Sequence, residues 1–356
     1  MTKGYIVLET GDVFQGEWIG AEREAEGEVV FYTGMTGYQE ILTDPSSAGH
    51  IVAFSYPVIG NYGIHPLYKK GEGIAAAAVL VSDLCDEPSH YGSIHSLEEE
   101  LIRKNIPGLK QVDTRALTAV LRKHGSVKGK IVKEKETYAG PWKEIDTVSL
   151  IQSYSVSRIA EWGRGKFHLV IVDFGQKNFL LQYLAAKGYR VTVVPFHTSF
   201  ATIKELNPDG VIIGTGPGNP SDLPFLLPTI KKIAAHYPVL GIGLGHQLIA
   251  LAYGCKTEKM LLGHRGENYA VKNTETGKVL ITSQNHGFTV MKDSIDSETF
   301  KVQFFNVNDG TPEGLLHQYL PVQTVQFHID SEETAQVLDS FLQKVEAVRG
   351  IGYVHV

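Results

Sequence analysis

The second half of the chain alternates short apolar runs with segments of helical periodicity, and this alternation limits the possible folds most strongly. Apolar runs of strand length occupy His168–Asp173, Arg190–Pro195, Gly210–Ile213, Pro238–Ile242 and Val322–Phe327. Helical patterns occupy 176–187, 223–237 and 244–253. Buried strands separated by helices of this length predict a parallel sheet with right-handed crossovers, which binds ligands at the carboxyl ends of its strands.

The first half has a different pattern, in which short predicted strands are separated by glycine and aspartate. The strands are expected at Tyr5–Leu8, Val13–Trp18 and Glu28–Tyr32, and residues 33–46 are expected to form turns. Helices are expected over Ser96–Lys104 and Thr114–Arg122, the second with Asp113 or Thr114 as its N-cap. Weak periodicity between Lys133 and Gly165 predicts an interdomain linker. We therefore expect an α/β chain with domains over 1–150 and 166–356.

Composition excludes several classes of protein. The 356 residues exceed the usual size of a single core, and 43% hydrophobic with 20% charged residues is typical of a soluble globular protein. A net charge of −6 without a basic block argues against a nucleic-acid partner. The longest apolar stretch, Ile74–Val81, is too short to span a bilayer, and the N-terminus does not resemble a signal peptide. Only two cysteines, Cys85 and Cys255, indicate a reducing cytoplasm.

A glycine-rich turn joins the predicted strand ending at Ile242 to the helix that starts at Leu244. Its sequence is Gly241-Ile242-Gly243-Leu244-Gly245-His246-Gln247. Sharp strand-turn-helix elbows display a nucleophile at the tip and direct helix N–H groups at a developing oxyanion, but the tip residue here, Gly243, has no side chain. Two alternatives are a purely structural turn, which glycine permits, and a dinucleotide fingerprint, which the G-x-G-x-G spacing disfavours.

Two more features follow predicted strands and are expected to lie at the same edge of the sheet. One is the loop Gly214-Thr215-Gly216-Pro217-Gly218-Asn219-Pro220, and the other is His328-Ile329-Asp330. His246 and His264 are not accompanied by further ligand residues at metal-binding spacing, so no metal site is predicted.

Motifs in both halves resemble the small, glutamine-hydrolysing subunit of carbamoyl phosphate synthase. In the first half these are Met35–Ser46, Tyr56-Pro57 with Gly60-Asn61, and Asp113–Thr118. The second half resembles a class I, or triad-type, glutamine amidotransferase, and other amidotransferases of this class lack the N-terminal domain. The resemblance implies a small-subunit-specific β/α domain followed by a doubly wound, mostly parallel amidotransferase sheet.

The resemblance also assigns catalytic positions. In the family the elbow reads G-x-C-x-G, and the cysteine thiolate attacks the side-chain amide of glutamine. Gly243 occupies that position here, His328 matches the histidine that relays the proton, and Asp330 stands where the family usually has glutamate. The resemblance therefore implies that no acyl-enzyme forms on this chain. Cys255 is roughly 15–18 Å along the following helix and is interpreted as a core residue.

The glutamine-binding positions of the family are matched in full. The implied contacts to L-glutamine are Ser46, Gly216, Gly218, Leu244, Gln247, Asn285, Gly287 and Phe288. Glycines allow backbone N–H groups to approach a ligand closely, and the amide at the start of a helix completes an oxyanion hole.

The resemblance implies a partner as well as a substrate. In the family a separate large subunit holds ATP and metal and receives ammonia through a tunnel, so no cofactor is expected in this chain. Three hypotheses stay open: an active glutaminase, a non-catalytic partner that binds glutamine, and an enzyme altered by substitution at the elbow. The sequence does not distinguish arginine from pyrimidine synthesis.

Overall fold

The computed structural model describes residues 2–135, 141–175 and 178–351. The chain divides into two compact units, the first made of Met1–Asp146 with Met260–Gly266 and the second of Thr147–Lys259 with Glu267–Val356. Within the described ranges, no helix is both long and apolar enough to cross a membrane.

In the described part of the first unit, seven strands form a closed barrel accompanied by three α-helices. Its elements are β1 (Lys3–Leu8), β2 (Val13–Gly20), β3 (Ala25–Tyr32), α1 (Tyr38–Thr43), β4 (His50–Phe54), β5 (Val58–Ile59), β6 (Ala78–Leu80), β7 (Asp83–Leu84), α2 (Leu97–Arg103), β8 (Pro107–Lys110), α3 (Thr114–His124) and β9 (Val127–Val132). The barrel order is β1-β2-β8-β6-β4-β3-β9, and β5 pairs with β7 separately. The predicted early strands and both predicted helices are present, and Asp113 caps α3 by accepting from the Ala116 N–H at 2.8 Å.

The prediction of turns over residues 33–46 is wrong in part, because helix α1 lies inside that run. Tyr38, Ile41 and Leu42 are buried in the core of the first unit. Burial of these side chains outweighs the turn-favouring composition around them, because helices in proteins owe most of their stability to packing.

The second unit is a ten-stranded sheet with helices. Its elements are α4 (Thr147–Tyr154), β10 (Ala160–Trp162), β11 (His168–Asp173), α5 (Asn178–Ala186), β12 (Arg190–Pro195), α6 (Phe200–Glu205), β13 (Gly210–Ile213), α7 (Leu227–His236), β14 (Val239–Ile242), α8 (Leu244–Ala252), β15 (Thr257–Asn273), β16 (Val279–Val290), β17 (Phe300–Asn306), β18 (Pro312–His317), β19 (Val322–Val325) and α9 (Glu332–Ile351). The strand order is β10-β12-β11-β13-β14-β19-β18-β17-β15-β16.

The centre of this sheet is parallel, as the sequence predicts. Strands β12, β11, β13, β14 and β19 pair in parallel, in that order. The α/β expectation is therefore confirmed. Residues 176 and 177 of the predicted helix 176–187 lie outside the described residues.

Helices cover both faces of the sheet. Along β11, Val170 and Val172 pack into one core with α4, α6, α7 and α8, whereas Leu169 and Ile171 pack into the other with α5 and α9. Side chains of a strand alternate between faces, so two apolar layers explain why these strands are continuously hydrophobic. The predicted linker contains α4 and β10, and the Ile151 side chain of α4 is buried in the first of these cores.

Antiparallel strands extend the sheet beyond β19, and the sequence analysis did not predict them. Strands β18 and β19 are antiparallel, as are β17 and β18, and β15 pairs with β17. Strand β16 at the edge carries the predicted site residues Asn285, Gly287 and Phe288.

Candidate functional site

The elbow between β14 and α8 has the backbone conformation that displays a side chain. Gly243 has φ 58° and ψ −112°, a region that L-residues rarely adopt. Its N–H donates to the Val325 carbonyl at 2.9 Å, which fixes the tip of the elbow beside the end of β19. The structure therefore holds the elbow geometry without the side chain that such a turn usually presents.

Two backbone N–H groups next to the elbow are available to an incoming oxygen. Among the described residues, neither the Leu244 N–H nor the Gly216 N–H has a hydrogen-bond acceptor. The Gly245 N–H donates to the Gly214 carbonyl at 3.1 Å and so ties the loop after β13 to the start of α8. An N–H donor at a helix start, together with a second fixed N–H donor from a neighbouring loop, can polarise a carbonyl and stabilise an oxyanion.

Residue 216 must be glycine because the end of β11 lies close to it. A Cβ built there would lie 2.5 Å from the Phe174 carbonyl oxygen and 2.6 Å from the Phe174 Cβ. Any side chain would push the loop away from the end of β11, and the position of its N–H would change with it.

The space beside Gly243 is partly filled by Thr215, a contact that the sequence analysis did not anticipate. An ideal Cβ on Gly243 would lie 2.6 Å from Thr215 Oγ1 and 3.2 Å from Thr215 Cβ. Both distances are shorter than ordinary van der Waals contact. Thr215 therefore packs against the elbow in the volume that a side chain at residue 243 would need.

The remainder of the loop after β13 is held by α4. Gly218 has a φ of +97°, and the next N–H, of Asn219, donates to Thr147 Oγ1 at 3.1 Å. The same hydroxyl donates to Asp222 Oδ2 at 2.6 Å. Thr147 and Asp222 are thus supporting residues that sequence reasoning missed, because they match no motif.

His328 and Asp330 follow β19 at the carboxyl edge of the sheet. His328 is buried, and its N–H donates to the Ser283 carbonyl at 2.9 Å. His328 Nδ1 lies 4.0 Å from Asp330 Oδ2, which is longer than a hydrogen bond. The Asp330 backbone is fixed by its own N–H, which donates to Thr334 Oγ1 at 3.2 Å.

Gln247 joins the elbow helix to the predicted binding segment on β16. Its Nε2 donates to the Phe288 carbonyl and to Gln326 Oε1, both at 2.8 Å. Both amide hydrogens are thereby used within the protein, and Oε1, which accepts no hydrogen bond from the described residues, is the atom left for a ligand. Asn285 and Gln247 are both buried, so these amides are held in fixed positions.

The His286 side chain contacts two neighbouring residues of the same segment of β16. Its Nδ1 lies 2.8 Å from the Phe288 carbonyl and its Nε2 lies 2.9 Å from Gln284 Oε1. These two contacts set the backbone course around Gly287, between Asn285 and Phe288.

The last predicted site residue, Ser46, belongs to the first unit. Its N–H donates to Asp44 Oδ1 at 2.9 Å, and its side chain is buried. All other predicted site residues lie in the second unit.

Cys255 is placed away from the elbow. It follows α8, whose nine residues separate it from Gly243 by about 13 Å of helix. Burial raises the pKa of the Cys255 thiol, which disfavours the thiolate needed for nucleophilic attack. The interpretation of Cys255 as a core residue agrees with this placement.

His246, three residues after the elbow tip, is a fully buried histidine that accounts for a pH dependence of stability. Its Nδ1 lies 2.7 Å from Thr324 Oγ1, and burial lowers its pKa to about 3. In the unfolded chain a histidine has a pKa of about 6.5. Between these values the unfolded state binds one proton more, so the stability present above pH 6.5 is lost as the pH falls.

We expect His246→Asn to flatten this dependence. The wild-type free energy of unfolding should fall by about 1.4 kcal/mol per pH unit on account of His246, and the variant should lack that contribution. Urea unfolding of both chains between pH 6.5 and 4.5 measures it, with the exposed His197→Asn as the matched control. If the free energy of unfolding falls equally steeply with pH in wild type and in His246→Asn, the account is contradicted.

Comparison with known proteins identifies both halves of the chain. Residues 6–131 match the family model "Carbamoyl-phosphate synthase small chain, CPSase domain", and residues 170–345 match "Glutamine amidotransferase class-I". The arginine-specific carbamoyl phosphate synthase small chain of Halalkalibacterium halodurans is 41% identical over 350 residues, with 97% of this chain and 98% of the relative covered. The pyrimidine-specific small chain of Bacillus subtilis is 42% identical over 360 residues, with 98% of each covered.

A solved structure also resembles part of the chain. A glutamine amidotransferase of Thermotoga maritima matches 51% of this chain and 85% of its own length, with 18% identity and a TM-score of 0.36. The family assignment depends on the sequence relatives alone, which match over almost the whole of both chains. The chain belongs to the carbamoyl phosphate synthase small chain family.

Proposed function

We propose that this chain is the small subunit of a glutamine-dependent carbamoyl phosphate synthase that binds L-glutamine but hydrolyses it poorly. The names of its relatives and the class I amidotransferase match support the first part. The observation that carries the second part is the elbow at Gly243, which has two available N–H donors and no nucleophile.

In this proposal the second unit holds glutamine by its amide and its amino-acid end. The Leu244 and Gly216 N–H groups receive the side-chain amide oxygen. The α-amino and α-carboxylate groups are bound among Gln247 Oε1, Asn285 and the backbone of Gly287 and Phe288, with Gly218 completing the set that the family resemblance assigns within this unit. Asn285 and Gln247 are already fixed within the protein, so little side-chain entropy is lost on binding.

The chemical consequence of Gly243 follows from the balance of the reaction. A thiolate would form a thioester with the glutamyl carbonyl, and His328 would protonate the departing ammonia. Without the thiolate, a water molecule must attack the amide directly, assisted only by the N–H donors and by His328. Loss of a triad nucleophile in a well-studied serine protease costs about 10⁶ in kcat, so hydrolysis here should be close to background.

The partner in this proposal is a large subunit that holds ATP and metal. The small chain itself then needs no cofactor, and carbamoyl phosphate is made for arginine or pyrimidine synthesis, as the names of the two relatives indicate for those proteins. Cys85 and Cys255 are both free thiols, which supports a reducing cytoplasm as the site of action.

A second candidate is a non-catalytic scaffold that binds glutamine and regulates an ammonia-dependent large subunit. Thr215 favours it, because its side chain fills the space that a nucleophile would occupy at the elbow. The two candidates differ in one measurable respect. A scaffold changes the rate of ammonia-dependent synthesis when glutamine binds, whereas an impaired glutaminase leaves that rate unchanged.

Glutamine binding itself tests the pocket. We expect calorimetric titration of the chain, purified with its large subunit, to show saturable binding of L-glutamine. Asn285→Ala should raise the Kd for L-glutamine about tenfold, because the variant loses one hydrogen bond to a charged group. The exposed Asn308→Ala in the same unit is the matched control. Absence of binding, or an Asn285→Ala variant as tight as the control, would contradict the assignment of the pocket.

A further inference from the structure

A cavity of about 260 Å³ lies within the first unit, between α1, α2 and the chain that follows residue 64. The side chains of Leu42, Ile64, Ile74 and Leu97 give it an apolar floor. Its size is near the lower end of small-molecule sites, which run from roughly 300 to 1,000 Å³. All of its lining residues belong to the first unit, and none of them is among the positions assigned to glutamine.

Among the described residues, the charged groups at the rim of this cavity leave one cation uncompensated. Lys69 pairs with Glu72 at 3.4 Å. His95 Nε2 lies 2.7 Å from Glu100 Oε2, and Arg103 donates to His95 Nδ1 at 3.2 Å. Because a guanidinium only donates, His95 Nδ1 accepts and Nε2–H donates to Glu100.

Lys104 is that remaining cation. It also lines the cavity, and in the described part of the chain its ammonium has no ion-pair partner. Its Nζ lies 3.7 Å from the position that a Cβ on Gly73 would take. The ammonium therefore stands over the backbone of Gly73, at the mouth of the cavity.

The backbone next to Lys104 adds further hydrogen-bond donors. The segment 71–74 is anchored at both ends, since the Lys70 N–H donates to Thr43 Oγ1 at 3.0 Å and the Ala75 N–H donates to the Leu42 carbonyl at 2.7 Å. Between these anchors, the N–H groups of Gly73 and Ile74 have no acceptor within the described ranges. Successive N–H groups next to an ammonium form a binding place for an anion.

We propose that this cavity binds a small organic anion. The phosphate or carboxylate head is held by Lys104 and by the N–H groups of Gly73 and Ile74, and the apolar body rests on the floor formed around Leu42 and Leu97. An apolar floor with a few convergent polar groups is the usual composition of a small-molecule site. The site requires neither glutamine nor the large subunit.

Phenyl phosphate is a suitable probe, because it joins an apolar ring to a dianion. We expect saturable binding to the full chain by calorimetry at fixed ionic strength, and at least tenfold weaker binding of phenol, which lacks the charge. Lys104→Gln should lower the affinity for phenyl phosphate about tenfold, whereas Lys104→Arg should keep most of that affinity. The exposed Lys123→Gln on α3, outside the cavity, is the matched control.

Benzoate in a parallel titration identifies the head group. Tighter binding of phenyl phosphate than of benzoate supports a phosphate ligand, and the reverse order supports a carboxylate. The proposal is overturned if neither anion binds, if phenol binds as tightly as phenyl phosphate, or if Lys104→Gln and Lys123→Gln bind the probe equally well. Circular dichroism of each variant confirms that the chain is folded.

Discussion

The double substitution Gly243→Cys with Thr215→Ala should raise glutamine hydrolysis at least about 10³-fold over the unmodified chain. In the proposed site the elbow backbone, buried His328 and the Leu244 and Gly216 N–H groups, which have no acceptor among the described residues, lack only a thiol. Loss of a nucleophile costs up to about 10⁶ in kcat, and part of this should be regained. Glutamate release by the chain together with its large subunit measures the rate.

Gly243→Cys alone should regain much less. Its Cβ would meet Thr215 Oγ1 at 2.6 Å, and relief of that overlap moves either the loop or the thiol. Misplacement of a catalytic group by about 1 Å can cost a hundredfold in rate. Removal of the hydroxyl by Thr215→Ala leaves only the 3.2 Å approach to the Thr215 Cβ, which a small shift relieves.

A matched control distinguishes the effect of the thiol on the hydrolysis rate from the effect of repacking around residue 243. Gly243→Ala with Thr215→Ala introduces the same Cβ but no nucleophile, so it should hydrolyse glutamine at the background rate. A glutamine-like alkylating analogue should label only the cysteine variant at residue 243. If the cysteine and alanine variants hydrolyse glutamine equally slowly, the turn is not a catalytic elbow.

The parallel centre of the second unit could be predicted from the sequence because most of its strands are nearly continuous apolar runs. Strands β11, β12 and β13 have the predicted bounds, and β14 starts one residue later than expected. The elbow was also predictable, because a glycine-rich turn between a strand and a helix is a local pattern. Roles at the elbow came from the family resemblance and stay predictions.

Contacts between residues distant in sequence could not be predicted in this way. Thr215 lies 28 positions before Gly243, and only the folded sheet shows that its hydroxyl fills the space beside the elbow. The hydrogen bond from Gln247 to Gln326 is non-local in the same sense. The 4.0 Å separation of His328 Nδ1 from Asp330 Oδ2 depends on side-chain geometry that spacing does not encode.

Secondary structure was missed where the local pattern is weak. Strand β15 mixes exposed, half-buried and buried positions over 17 residues and lacks a clear alternation. Helix α1 is only six residues long, and burial against its own unit stabilises it where propensity favours turns.

The comparison of two nitrogen donors tests the central claim most directly. The chain purified with its cognate large subunit is supplied with ATP, bicarbonate and either ammonium or L-glutamine, and carbamoyl phosphate is measured. Because Gly243 supplies no nucleophile, we expect ammonium to support synthesis and glutamine to support a rate at least about 10³-fold lower. Comparable rates with both donors, with the glutamine rate abolished by His328→Asn, would show that this site hydrolyses glutamine and would contradict the account.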